Sequence, residues 1–229
     1  MESHFDRILE DLKRRLLEMA SATEESIGEA VRSLAERDDE MAQRVIAGGK
    51  SVDSLEVAIE DEALGLLALR QPVARDLRLV AAIIKINTDL ERINDQAVNI
   101  AQRALMLNAL PPLKPIIDLP RMAGIAQGLV RDALTAFVYR DADLAHAVRR
   151  RDDELDALKD QVFRELLTYM MASPQAIDRA VHLIVVSRCL ERMGDHASNI
   201  AEDALYVVEG HIVRHTKEAA VPESGPPEG

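Results

Sequence analysis

Acidic residues recur in this chain at a spacing that suits cation binding. Glu91 and Asp95 stand four positions apart, as do Glu191 and Asp195, so each pair lies on one face of a helix with Asn99 or Asn199 a turn further on. Asp152 and Asp156 form another such pair, and Asp53 stands in the first half where Asp156 stands in the second, followed by Glu56 and Glu60. Like charges at this spacing repel by only about 0.2–0.5 kcal/mol per pair in an isolated helix, so one pair alone carries little information. If the helices bearing Asp152 and Glu191 are antiparallel neighbours, however, four carboxylates meet. Oxygen-only clusters suit hard cations such as Mg²⁺, Ca²⁺, Mn²⁺ or ferric iron and do not suit thiolate-loving metals. The alternative is a solvated acidic helix face screened by Arg92 and Arg192.

The elements that must position these acids follow from a repeat. Glu91-Arg92-Ile93-Asn94-Asp95-Gln96-Ala97-Val98-Asn99-Ile100-Ala101 returns one hundred positions later as Glu191-Arg192-Met193-Gly194-Asp195-His196-Ala197-Ser198-Asn199-Ile200-Ala201. Charged and amide residues recur along with the apolar ones, which points to two copies of one structural unit. Around each copy the apolar residues step by threes and fours: Ile83, Ile86, Leu90, Ile93, Ala97, Ile100 and Ala104, then Leu183, Val186, Leu190, Met193, Ala197, Ile200 and Ala204. That spacing is the seam of a bundle helix, and it leaves Glu91, Asp95 and their counterparts outside the apolar line.

Chain breakers divide the remainder. Helices are expected over about 4–36, 39–70, 73–107, 121–140, 142–172 and 175–210. Pro72 ends the second, Ser173 and Pro174 open the sixth, and the prolines at 111, 112, 115 and 120 interrupt the chain most strongly. The expected fold is all-α, with six long helices forming two pseudo-repeated antiparallel three-helix bundles. The first covers 1–108, a Pro-rich linker 109–120, the second bundle 121–212 and a disordered tail 213–229.

Composition narrows the function classes. The chain of 229 residues is 48% hydrophobic, only 3% aromatic, and carries a net charge of −12, which opposes general affinity for nucleic acid or anionic lipid. Cys189 is the single cysteine, so no internal disulfide forms. The N-terminal stretch lacks the apolar segment of a secretory signal, and the run Leu79–Ile84 is far too short to span a bilayer. A cytoplasmic protein without membrane insertion is expected.

Other candidate sites are weaker. Gly48-Gly49-Lys50-Ser51 ends like a phosphate-binding loop, but Arg44 stands where that motif needs glycine and no strand precedes it. An irregularity in the second helix is the expected meaning. His196 reads as a surface residue, His146 and His182 as packing or surface residues, Cys189 as a buried thiol, and Met170-Met171 as core filler.

The segments 90–101 and 190–201, together with Gln71-Pro72-Val73-Ala74-Arg75-Asp76-Leu77-Arg78, resemble the PhoU family, the phosphate-transport accessory proteins and phosphate-regulon regulators of bacteria. The resemblance spans the chain up to its tail. It implies two similar three-helix bundles, no enzymatic activity, and repeated Glu/Asp-x-x-x-Asp motifs that ligate metal on the bundle surfaces. Carried over, those motifs mark Glu91 and Asp95 in the first unit and Asp152, Asp156, Glu191 and Asp195 in the second. In the second helix only Asp53 matches, because Gly49 replaces the first acid, and Asn94 replaces the usual glycine before the Asp. Tighter metal binding by the second unit is therefore expected, with iron, manganese, magnesium, calcium or zinc as the ion. The implied partners are the ATPase subunit of the high-affinity phosphate transporter and the phosphate sensor histidine kinase, with a homodimer as the assembly. The competing classes are a carboxylate-bridged oxidase, whose ligands would sit in the bundle core with Glu-x-x-His motifs, and a general helical scaffold.

Overall fold

The computed structural model describes residues 4–70 and 74–210. These residues form six long α-helices: α1 (His4–Ala35), α2 (Asp39–Arg70), α3 (Ala74–Asn108), α4 (Asp118–Tyr139), α5 (Ala142–Ala172) and α6 (Ile177–Glu209). A short 3-10 turn, Pro174–Ala176, leads into α6. The chain break expected at Pro72 and the tail 213–229 lie outside the described residues.

Apolar periodicity accounts for the helices and their packing. All fourteen seam residues named above are buried, from Ile83 to Ala104 on α3 and from Leu183 to Ala204 on α6. The turns repeat as well. Arg37 and Arg140 adopt the left-handed conformation, each at φ 58°, and reverse the chain after α1 and α4. Asp38 and Asp141 then cap the next helix, their carboxylates accepting from the backbone N–H groups of Met41 and Leu144 at 2.9 Å.

Two expected boundaries shift. α4 starts at Asp118 rather than near 121, because proline is tolerated in a first helical turn and Pro120 lies there. α2 runs through Gly48 and Gly49 without a break, so the expected irregularity is absent.

Within each half the three helices pack on one another, α1 with α2 and α3, and α4 with α5 and α6. The halves join through α1 against α4 and α3 against α6. Both junctions are antiparallel. On α3 and α6, Lys85 meets Asp203 at 2.9 Å while Arg103 meets His182 at 3.2 Å. On α1 and α4, Leu17 and Glu24 lie beside Val138 and Arg131 while Arg32 and Ala35 lie beside Pro120 and Ala123. Arg131 holds Glu24 at 2.9 Å, and the Gln127 amide donates to the Glu24 carbonyl at 2.8 Å. One continuous apolar core results, with α1, α3, α4 and α6 at its centre and α2 and α5 on the outside. Each acid-bearing outer helix thus lies along the acid-bearing face of its neighbour, α2 on α3 and α5 on α6.

Candidate metal centre

The groove between α2 and α3 gathers Asp53, Glu91 and Asp95. Each can offer one carboxylate oxygen, and the three oxygens lie within 4.8 Å of one another. Oxygens sharing one hard cation stand about 2.0–2.6 Å from it, so they can be no further apart than roughly twice that. The triad meets this condition. Glu91 is partly buried and the two aspartates are exposed, which leaves room for water to complete a coordination shell.

Electrostatics in this groove is uncompensated. Burial foremost, then the charges of Asp95, Glu56 and Asp53, raises the Glu91 carboxyl above its ordinary pKa. Glu56 is raised in the same way by burial, Glu60 and Asp53. Among the described residues no ion pair falls on Asp53, Glu91 or Asp95. Carboxylates crowded at this distance are stabilised by a cation, and the all-oxygen donor set fits a hard one.

The groove between α5 and α6 is built differently. Lys159 inserts its ammonium group between Asp156 and Glu191, at 2.7 and 3.0 Å, with Asp160 at 3.9 Å. The hydrogen bond to Asp156 foremost, reinforced by that to Glu191, raises the Lys159 pKa against the opposing effect of burial. Asp152 accepts a hydrogen bond from the Ser198 hydroxyl at 3.1 Å. Burial pushes Asp152 up to about 6, helped by Asp195, Asp156 and Asp153 and opposed by the Ser198 hydrogen bond. Asp195 is also raised, by burial first and then by Glu191 and Asp156, with His196 and Lys159 opposing. All four acids carried over for this unit therefore lie in one groove, but an ammonium group already stands among them.

The order expected from Gly49 runs against this geometry, since the converged triad lies in the first unit. The reason is a steric exchange between α2–α3 and α5–α6. A Cβ at Gly194 would overlap Asp152 Oδ1 and stand 2.7 Å from Leu155 Cδ1, so glycine there is what admits Asp152. In the first unit the bulk is on the other helix. A Cβ at Gly49 would stand 3.0 Å from Val98 Cγ2 and 3.8 Å from Asn94 Nδ2. Gly49 with Asn94, and Asp152 with Gly194, are the same small–large contact with its sides swapped. Val98 and Ser198 complete it, since a hydroxyl is needed only where Asp152 needs a donor. Gly49 thus removes one acid from this groove, and Asp53, Glu91 and Asp95 are the three that lie together.

The comparison with known proteins follows this duplication. The family model described as "PhoU domain" matches residues 16–104 and 119–204. The chain belongs to the PhoU family. Among its relatives, a "Phosphate-specific transport system accessory protein PhoU homolog" of Aquifex aeolicus is 44% identical over 207 residues, covering 90% of this chain and 94% of that protein. The homologue of the same name in Caulobacter vibrioides is 42% identical and covers 85% of each chain. The crystal structure of PhoU from Pseudomonas aeruginosa superposes with a TM-score of 0.88 at 39% identity, covering 91% of this chain and 100% of that one. The phosphate transport system regulatory protein PhoU from Streptococcus pneumoniae gives 0.84 at 28% identity, covering 92% and 99%.

Within this PhoU-family fold the remaining candidates find other places. His196 is not a surface residue: its Nδ1 lies 2.8 Å from Asp89 Oδ1, in the seam between α3 and α6. Asn199 joins the same carboxylate at 3.4 Å and so faces α3 rather than the acids of α5. His182 meets Arg103, and His146 lies 3.7 Å from Glu209. Cys189 is buried, and desolvation pushes its thiol up to about 11. Lys159 lies outside the repeated segments, and Ser198 lies inside one at a place where the other has Val98. Aligning α2 with α5 through Asp53 and Asp156 would have exposed Lys159, because it then falls opposite Glu56.

Proposed function

We propose that this protein is a non-enzymatic accessory regulator of a phosphate-specific transport system. In this reading it works in the cytoplasm as a homodimer, its two bundles spanning 1–108 and 121–212. It restrains phosphate uptake and phosphate-starvation signalling through the transporter ATPase subunit and the sensor histidine kinase. The observation that carries the reading is similarity over nearly the whole length of proteins named as accessory to that system, at 94% coverage of the Aquifex relative. Among the described residues no helix is long and apolar enough to cross a membrane, which fits a partner recruited to the transporter's ATPase.

A hard cation bound by Asp53, Glu91 and Asp95 would link α2 to α3, joining two helices through charge that otherwise repels. Such a site sits in an outer groove. A carboxylate-bridged oxidase would place its ligands in the bundle core, where Ile93, Ala97 and Ile100 are buried instead.

Deleting the gene tests the regulatory reading. Constitutive expression of phosphate-starvation genes is the expected phenotype, and unchanged regulation would refute the assignment. Pull-down from phosphate-replete cells should recover the transporter ATPase and the kinase. For the metal, Asp53→Ala should abolish the tighter cation site in a titration while Asp156→Ala leaves it in place; equal losses would count against the first groove. Sustained oxygen consumption by the iron-loaded protein would favour the oxidase.

A further inference from the structure

The two grooves differ at one position in a way that inverts their charge. On α2 the residues Gly49, Asp53 and Glu56 are spaced as Asp152, Asp156 and Lys159 are on α5. The opposing helices agree, with Glu91 and Asp95 facing the first set and Glu191 and Asp195 the second. An acid in one unit is thus a lysine at the equivalent place in the other.

We infer that Lys159 is the resident counter-ion of the α5–α6 groove, a tethered ammonium group in place of a free cation, so that the two halves divide into one metal-binding groove and one self-neutralised groove. This rests on the reading of Asp53, Glu91 and Asp95 as the cation site. The geometry carries the inference. Lys159 Nζ lies within hydrogen-bonding distance of both Asp156 and Glu191, one acid from each helix. It therefore joins α5 to α6 as a shared cation would. The Lys159 side chain keeps 25% of its exposure and Glu191 22%, so that contact lies within the groove, while Asp156 at 56% stands at its mouth.

A second feature points the same way. Asp152 is occupied by the Ser198 hydroxyl, and with Asp156 and Glu191 held by Lys159, only Asp195 of the four acids has no such partner among the described residues. A divalent ion entering this groove would have to displace the ammonium group, which stays attached to the chain at high effective concentration. In the α2–α3 groove Glu56 adds negative charge at that place, and among the described residues nothing tethered competes with an incoming ion.

The test is titration of the full chain with Mn²⁺, counting free ion by electron paramagnetic resonance. Wild type should take up one tight equivalent, lost in Asp53→Asn/Glu91→Gln. In that double-variant background Lys159→Glu, which copies Glu56, should create a site binding Mn²⁺ at least ~10-fold more tightly than the parent. Lys159→Gln, which removes the tether and adds no repulsion, should do so more weakly, and it serves if the glutamate variant folds poorly. Mn²⁺ should also raise the melting temperature of both lysine variants in this background more than that of the parent.

No gain of binding in either lysine variant would overturn the inference. So would two tight equivalents in wild type, one of them lost in Asp156→Asn. Absence of tight binding in wild type together with a gained site in Lys159→Glu would remove the first-groove reading and leave the role of Lys159 standing.

Discussion

Gly194→Ala isolates the contact that seats Asp152 and Leu155 against α6. In an exposed helix interior, replacing glycine with alanine stabilises by about 0.8–1 kcal/mol. At position 194 the new methyl group overlaps Asp152 Oδ1 and approaches Leu155 Cδ1 to 2.7 Å, and Leu155 is fully buried. Overpacking of this kind costs roughly 1–3 kcal/mol. If Asp152 rotates away, its hydrogen bond from Ser198 is lost as well, a further ~1 kcal/mol. The expected net effect is a destabilisation of ~1–3 kcal/mol. Urea unfolding followed by circular dichroism measures it, with Gly48→Ala as the control. No atom lies within 4 Å of the added Cβ at Gly48, so that variant should gain up to ~1 kcal/mol. The exchange seen in the first unit predicts the rescue. Combining Asp152→Gly with Gly194→Asn should recover most of the loss, with a coupling energy above ~1 kcal/mol in the double-mutant cycle. If Gly194→Ala matches Gly48→Ala, or the paired changes are simply additive, the steric account of the missing acid at Gly49 is wrong.

Two further outcomes follow from the structure. Asp152 is raised from the ordinary 3.8 to about 6, burial being the main cause. A raised carboxyl favours folding in its protonated form, a contribution complete below pH ~4 and lost as pH rises through ~6. The shift corresponds to ~3 kcal/mol, reduced to roughly 1–2 kcal/mol because the group is partly solvent-screened. With chelator present, Asp152→Asn should therefore stabilise the protein by that amount at pH 7 and by almost nothing at pH 4. Equal effects at the two pH values would contradict this. Arg140 holds φ 58° without being glycine, so Arg140→Gly should stabilise by ~1 kcal/mol in chemical denaturation; a loss would show that its side chain contributes more than the backbone strain costs.

Much of the architecture was legible along the chain. The threes-and-fours spacing from Ile83 to Ala104 and from Leu183 to Ala204 requires helices that bury one stripe, and every one of those residues is buried. The identity of the candidate acids was legible too, because charged residues repeated at fixed offsets are not needed for packing. Helix ends were less so, since Pro120 can either break a chain or occupy a first turn.

Local order cannot tell which acids converge, because that depends on what stands across the groove on another helix. Gly49 reads along the chain as a missing ligand, and only the packed structure shows Val98 and Asn94 filling the space beside it. The four acids of the second unit read as the fuller set, and only the packed structure places Lys159 between Asp156 and Glu191. Likewise His196 reads as a surface residue along the chain, and only the docking of α6 on α3 brings it to Asp89. Periodicity is a property of one helix and survives in the linear text. Coordination and charge compensation are properties of two helices, decided by side-chain volumes that meet only after the chain has packed.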